Sequence, residues 1–150
     1  MTEQDKRPKV GVGVIIINPD GLVLLGHRTG SHGAGTWGLP GGHLEFGEKP
    51  EERARIEIFE ETGITDLIFA PGVYIYTNDV FNEDKHYITL YLVATHFKGT
   101  PVIKEPNKCL EWRWCCWDEL PEPHFLPLAN LLKTKFDPFA FAPHKDNINV

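Results

Sequence analysis

The sequence predicts an α/β fold, a mixed β-sheet held between helices. Short apolar runs rich in β-branched residues and bounded by glycine and proline predict the strands. Two longer stretches, one opened by Pro50 and one running from His124 to Lys135, predict the helices. With 150 residues, 41% of them hydrophobic, the chain suits one globular domain over 1–150 with its own core, loose at 1–9 and 140–150.

Val10 to Ile17 reads as the first strand, closed by the turn Asn18-Pro19-Asp20-Gly21, with Leu22 to His27 as its hairpin partner. Gly11 and Gly13 lack the third glycine and following helix of a dinucleotide fingerprint. Thr29 to Gly35, with three glycines, reads as a flexible loop, and Pro40-Gly41-Gly42 as a sharp break. The first helix begins at Pro50, where the missing N–H costs nothing, and Glu51 and Glu52 sit well in its first turn. It ends before Gly63, which accepts the left-handed C-cap. Val73 to Tyr76 and Tyr87 to Thr95 read as strands with polar residues Asn78 to Lys85 between them. Leu110 to Trp117 reads as an aromatic strand, Asp118 to Pro123 as a turn, and His124 to Lys135 as the second helix. There are no internal repeats, low-complexity tracts or linkers.

The net charge of −6 argues against a protein that grips a nucleic-acid backbone by itself, so no nucleic-acid partner is expected. It is compatible with polyphosphate if metal ions bridge the two sets of negative charge. No run approaches the roughly 20 apolar residues of a membrane span, and Met1 to Lys9 lacks the apolar core of a signal peptide. Three cysteines, two adjacent, make neither a disulfide framework nor a zinc site. They read as reduced thiols in or near a strand, which implies a cytoplasmic location.

The chemistry concentrates between Gly42 and Ile64. At about 100° per residue, Glu57, Glu60 and Glu61 fall within roughly one third of the helix circumference. Like charges so crowded repel by about a few tenths of a kcal/mol per pair, and a cation removes that penalty. Clustered carboxylate oxygens suit hard divalent metals, magnesium in particular. An acid-rich helix can also be a merely solvated face.

The spacing favours the metal. Gly42, Glu48 and then Glu57-Ile58-Phe59-Glu60-Glu61-Thr62-Gly63-Ile64 resemble the Nudix box: a glycine, a glutamate seven positions in, then Arg-Glu-apolar-x-Glu-Glu-x-Gly-apolar. Ile56 stands where the family carries arginine. Val10 to Val14, Leu24 to Arg28, Gly33 to Glu48, His86 to Thr89 and Asp137-Pro138-Phe139 are similar to the Nudix 15-type nucleoside triphosphate diphosphatases among the MutT-type enzymes. The resemblance implies a Nudix α/β/α sandwich, Mg2+ (or Mn2+) as cofactor, a small-molecule nucleotide as substrate and a homodimer. It implies metal ligation by Glu57, Glu61 and the Gly41 carbonyl, with Glu60 a further ligand or a water-orienting base. Glu105, before the tryptophan-bearing strand, matches a supplementary acid. Arg28 matches a phosphate-contacting arginine, Gly42 belongs to the substrate loop, and Leu39 and Thr89 match base-pocket positions. Each also has a plainer reading: Arg28 as an exposed strand end, Glu105 as a loop acid, Leu39 as core. Trp37, Phe81 and Phe125 can stack on a base or fill the core, and His86 reads as structural. Glu48, just before the helix, is favoured there by the helix dipole.

Without an arginine at 56, the acids lose a restraint, and weaker metal binding or slower chemistry is expected. Arg53, four residues before Glu57, is a candidate to take over part of that role. The leading function is hydrolysis of a canonical or oxidised nucleoside triphosphate to monophosphate and pyrophosphate. Alternatives are hydrolysis of a nucleotide sugar or dinucleoside polyphosphate, or a nucleotide-binding module without turnover.

Overall fold

The computed structural model describes residues 6–71 and 75–141. Strands β1 (Lys9–Ile16), β2 (Val23–Arg28), β3 (Trp37–Gly38) and β4 (Gly41–His43) precede helix α1 (Pro50–Thr62). Then come β5 (Thr65–Phe69), β6 (Ile75–Asn82), β7 (Lys85–Lys98), β8 (Cys109–Cys115) and helix α2 (Leu126–Lys133). Short 3-10 turns cover Trp117–Glu119 and Pro138–Phe141.

The long strand β7 organises the larger sheet. It pairs in parallel with β1 from Lys9↔Tyr87 to Ile16↔Ala94, and β4 extends the sheet antiparallel beyond β1. On the other edge of β7, β6 pairs with its first half and β5 with its last part. The smaller sheet has the order β3-β2-β8. β1 is buried on both faces, as a strand between two helices must be. Val12, Val14 and Ile16 turn to Ala54 and Ile58 of α1, whereas Ile15 and Ile17 turn to Leu128 and Leu131 of α2. That two-residue alternation divides the core into two layers.

Helix α1 holds its place through a narrow stripe, Ala54, Ile58 and Thr62, one residue per turn. Lys49 gives no side-chain cap, and Pro50 opens the helix. Gly63, at φ 82°, closes it by donating its N–H to the Phe59 carbonyl at 2.9 Å. Both ends lie where the sequence predicts them.

The hairpin expected between β1 and β2 does not form. Asn18 folds the turn, accepting the Asp20 and Leu22 N–H groups at 3.0 and 2.9 Å, but only the bridge Ile17↔Val23 follows. The chain instead passes from the larger sheet to the smaller. The polar stretch Asn78 to Asn82, expected as a connection, continues β6 into a tight hairpin with β7. β3, β4 and β5 are additions to the expected elements, and α2 starts two residues after His124, at Leu126. Val73 and Tyr74 of an expected strand lie outside the described residues, as do most of the expected loose ends. Lys9 is already in β1, and Ala140 and Phe141 belong to a 3-10 turn.

Candidate active site

The segment from Trp37 to His43 crosses from the smaller sheet to the larger through Leu39-Pro40 and passes beneath α1. Its glycines exist for close approach. A Cβ on Gly41 would lie 1.9 Å from the Val12 carbonyl oxygen, and one on Gly42 would lie 2.2 Å from the Glu57 carboxyl carbon. The Gly41 N–H donates to Glu61 Oε1 at 3.0 Å. Helix and turn therefore share one wall of a cleft of about 530 Å³, lined by Glu57, Glu61, Glu105, Arg28 and both glycines.

The cleft holds more negative charge than its own cations answer. Burial pushes Glu61 up to about 8, and the charges of Glu57 and Glu105 add to the rise. Glu57 is also raised, again by burial first, against the lowering effect of Arg53. Arg53 donates through Nε and Nη2 to the two oxygens of Glu48 at 2.9 and 2.8 Å, and through Nη1 to Glu57 at 3.1 Å. It thus ties the loop acid to the helix acid, as the sequence suggested for Glu57, and holds Glu48 below the usual carboxylate range. Arg28 leaves β2 with its guanidinium 3.8 Å from the centre of the Phe125 ring, and burial lowers its pKa.

A second pocket, of about 140 Å³, adjoins the cleft and shares Arg28, His32, Leu39, Gly41, Gly42 and His43 with it. Gly11, Gly13, Thr89 and Tyr91 contribute from β1 and β7, and Phe81, Tyr87 and Phe125 close its aromatic side. Phe81 and Phe125 stand 5.6 Å apart, with His32 tilted against Phe81 and edge-on to Phe125. Burial, with Lys85 and Arg28 nearby, pushes His32 down to about 4, so it is neutral at pH 7.

Of the residues the sequence singled out, Arg28, Leu39, Gly41, Gly42, Glu57, Glu61, Glu105 and Thr89 all line one compartment or both. Glu60 does not line the cleft; it is exposed, about 160° around the helix from the centre of the buried stripe. Trp37 separates from Phe81 and Phe125: it is buried and stacked on His27 at 4.4 Å. His86 pairs with Asn78 Oδ1 across the β6–β7 hairpin. The three cysteines are free thiols, two in β8 and one just after it. Sequence reasoning missed His32, His43, Tyr87 and the buried Asp79. The one available signal for Asp79 was alternation, since Thr77 and Asp79 repeat on the inward face of a strand.

The donors of the cleft fit a divalent cation. Glu57 and Glu61 offer hard oxygens in a cleft short of positive charge, and Gly42 leaves the Glu57 carboxyl room to reach it. Among the described residues, no three acidic, histidine or cysteine groups form a protein cage for an ion. Magnesium commonly keeps waters and takes one or two carboxylates together with substrate phosphates.

Fold and cleft together define a hydrolase of the MutT class. The MutT NUDIX hydrolase from Burkholderia pseudomallei superposes with a TM-score of 0.73 and 30% identity, covering 86% of this chain and 97% of that one. The NUDIX domain model matches residues 7–135, and this chain belongs to that family. The "RNA pyrophosphohydrolase" of Caulobacter vibrioides (strain NA1000 / CB15N) is 32% identical over 138 residues, 81% of this chain and 80% of its own. A protein of Mycobacterium tuberculosis named "Putative 8-oxo-dGTP diphosphatase 3" is 36% identical over 115 residues, 73% of this chain and 51% of its own. Family membership supports a pyrophosphohydrolase, and enzymes of this family generally use divalent ions such as Mg2+. Among the described residues, no helix is long and apolar enough to cross a membrane.

Proposed function

We propose that the protein is a metal-dependent nucleoside triphosphate diphosphatase, which converts a canonical or oxidised nucleotide to its monophosphate and pyrophosphate. One observation carries the reading: an acidic cleft and an aromatic pocket share the wall Arg28, Leu39, Gly41 and Gly42. A nucleotide has the same two-part character, a charged chain joined to a flat base. Its phosphates belong with Glu57, Glu61 and Glu105, and its base with Leu39, Thr89, Phe81 and Phe125. Mg2+ or Mn2+ would be held by Glu57, Glu61 and the Gly41 backbone, with Glu105 in support. When bound, it neutralises phosphate oxygens and lowers the pKa of a water. Arg28 can take a phosphate bidentately. Glu60, exposed and outside the cleft lining, would have to turn its side chain from the outer helix face toward the cleft mouth to orient a water there or take its proton.

A second reading starts from the relatives named RNA pyrophosphohydrolase. A triphosphate on an RNA 5′ end offers the cleft the same groups, although the chain's net charge of −6 opposes a long polyanion. Three free thiols accord with a cytoplasmic location and residues 1–150 with a single domain, and we include a homodimer in the proposal.

The test is a panel with magnesium or manganese: nucleoside triphosphates, oxidised nucleotides, nucleotide sugars, dinucleoside polyphosphates and 5′-triphosphate RNA. The expected products are monophosphate and pyrophosphate, abolished by chelator. Turnover of RNA alone favours the second reading, and binding without any turnover defeats both.

A further inference from the structure

We propose that Asp79 is a positioning residue that fixes the proton of the Thr89 hydroxyl, so that the pocket presents an acceptor and selects base edges that bring an N–H, an exocyclic amine above all. This rests on the pocket holding a base.

Asp79 is fully buried, at 0% exposure, beneath the pocket floor. Its partners are neutral donors. Oδ2 receives the Thr77 hydroxyl at 3.0 Å and the Thr89 hydroxyl at 2.5 Å, and Oδ1 receives Asn130 Nδ2 at 2.9 Å. A carboxylate only accepts, whereas a threonine hydroxyl has one proton and two lone pairs. The single proton of Thr89 is committed to Asp79 Oδ2, the acceptor of that 2.5 Å bond. Only lone pairs remain for whatever occupies the pocket.

The polarisation extends through the floor. With the Thr77 proton also on Asp79, the 2.9 Å contact between Thr77 and Tyr91 has the tyrosine as donor. Tyr91, whose ring lies under Gly13, has the Pro127 carbonyl at 3.1 Å and the Thr89 hydroxyl as its other acceptors, and whichever takes its proton, Thr89 keeps an unshared lone pair and no proton for the pocket. The Thr89 oxygen stays reachable because Gly11 lies beside it: a Cβ there would come within 3.3 Å of Oγ1. A base edge meeting this floor must supply the hydrogen. An exocyclic amine or a ring N–H does so, whereas an unprotonated ring nitrogen or a carbonyl sets lone pair against lone pair.

The experiment measures binding of matched monophosphates to the full chain by calorimetry. Guanosine is compared with inosine, and adenosine with purine riboside, each pair differing by one amine. Wild type should favour the amine-bearing member of at least one pair by about tenfold, the worth of one good hydrogen bond. Asp79→Asn can turn its NH2 toward Thr89 and free the hydroxyl proton, so the ratio should fall toward one. With the triphosphates the change should appear in KM far more than in kcat, which general loosening of the fold would not produce. Thr89→Val keeps the shape and removes the acceptor, so it should lose the ratio yet keep its affinity for the member without the amine. A ratio near one in wild type, or an unchanged ratio in Asp79→Asn, overturns the proposal. If Asp79→Asn does not fold, Thr89→Val decides alone, and an unchanged ratio there is equally fatal. If no monophosphate binds, the base-pocket reading falls and the proposal with it, an outcome distinct from tight binding without preference.

Discussion

The two compartments on either side of Leu39–Gly42 each have a carboxylate withdrawn from open solvent, Asp79 fully buried and Glu61 partly so, and they treat it in opposite ways. Asp79 accepts three hydrogen bonds from neutral donors of its own fold. Glu61 accepts one, from the Gly41 N–H, and stands near two further acids, Glu57 one turn earlier on α1 and Glu105, whose charges raise its pKa. A buried carboxylate served by its own chain is part of the scaffold, whereas one left short of partners is made for something that arrives from outside. The difference separates the part of the site that reads a ligand's shape from the part that meets its charge.

The sharpest way to break this contrast is at Glu61. Glu61→Gln keeps the shape, removes the charge, and should lower turnover by about a hundredfold or more, measured as kcat/KM with saturating magnesium. A rate within threefold of wild type would make the cleft acids ordinary surface charges. In the absence of metal, the same residue sets a pH dependence. Its folded pKa of about 8 lies above the 4.5 of an ordinary glutamate, so the folded state holds the proton more tightly. The stability this gives is fully present below about pH 4.5 and is lost as pH rises through about 8. Melting in chelator should therefore drop between pH 5 and pH 9, and Glu61→Gln should flatten the curve. At pH 9 the variant should be the more stable by about a few kcal/mol, since each tenfold difference in proton affinity is worth about 1.4 kcal/mol. Excess magnesium should restore wild type at pH 9 and not the variant.

Gly42→Ala probes the cleft with a smaller expected effect. The position has no need of a left-handed backbone, and what the new methyl meets is the movable end of Glu57. The side chain must swing out of the space it shares with Arg53. Activity should fall about tenfold while the melting temperature changes by only a few degrees, because a surface-facing side chain moves and the core does not. A large loss of stability would show that the turn, rather than the Glu57 carboxylate, needs that glycine.

The same contrast explains what could be read in advance. The box residues Gly42, Glu48, Glu57 and Glu61 lie within one turn and one helix, so local spacing alone brings them together. Helix ends were legible for the same reason, since Pro50 and Gly63 act on their own neighbours. Asp79, Thr89, Gly11 and Tyr87 meet only through the registers Gly11↔Thr89 and Asp79↔Tyr87. Thr89, which lines the pocket, was singled out by resemblance and Asp79 not at all. Polar inward residues at 77 and 79 also disguised β6 as a connection, because the usual sign of a buried strand face is apolar alternation. The turn at Asn18 carries the same local chemistry whether the chain pairs back or changes sheets, and here it changes sheets. β3 and β4, at two and three residues, are too short to carry any period.

The smallest effects lie at Arg53 and Ile56. Ile56 is 40% exposed and about 160° around the helix from Ile58. It is on the solvent side, while Arg53 spans the gap between Glu48 and Glu57. We propose that part of the restraint an arginine at 56 would give is met by this contact from one turn earlier. Arg53→Ala should slow turnover severalfold. Arg53→Lys should recover little of it, because a single ammonium cannot serve both oxygens of Glu48 and Glu57 together. Ile56→Arg should change the rate by less than about twofold, since the acid it must hold already has a partner. A tenfold gain from Ile56→Arg, or full rescue of Arg53→Ala by it, would show that Arg53 is no substitute for the family's arginine.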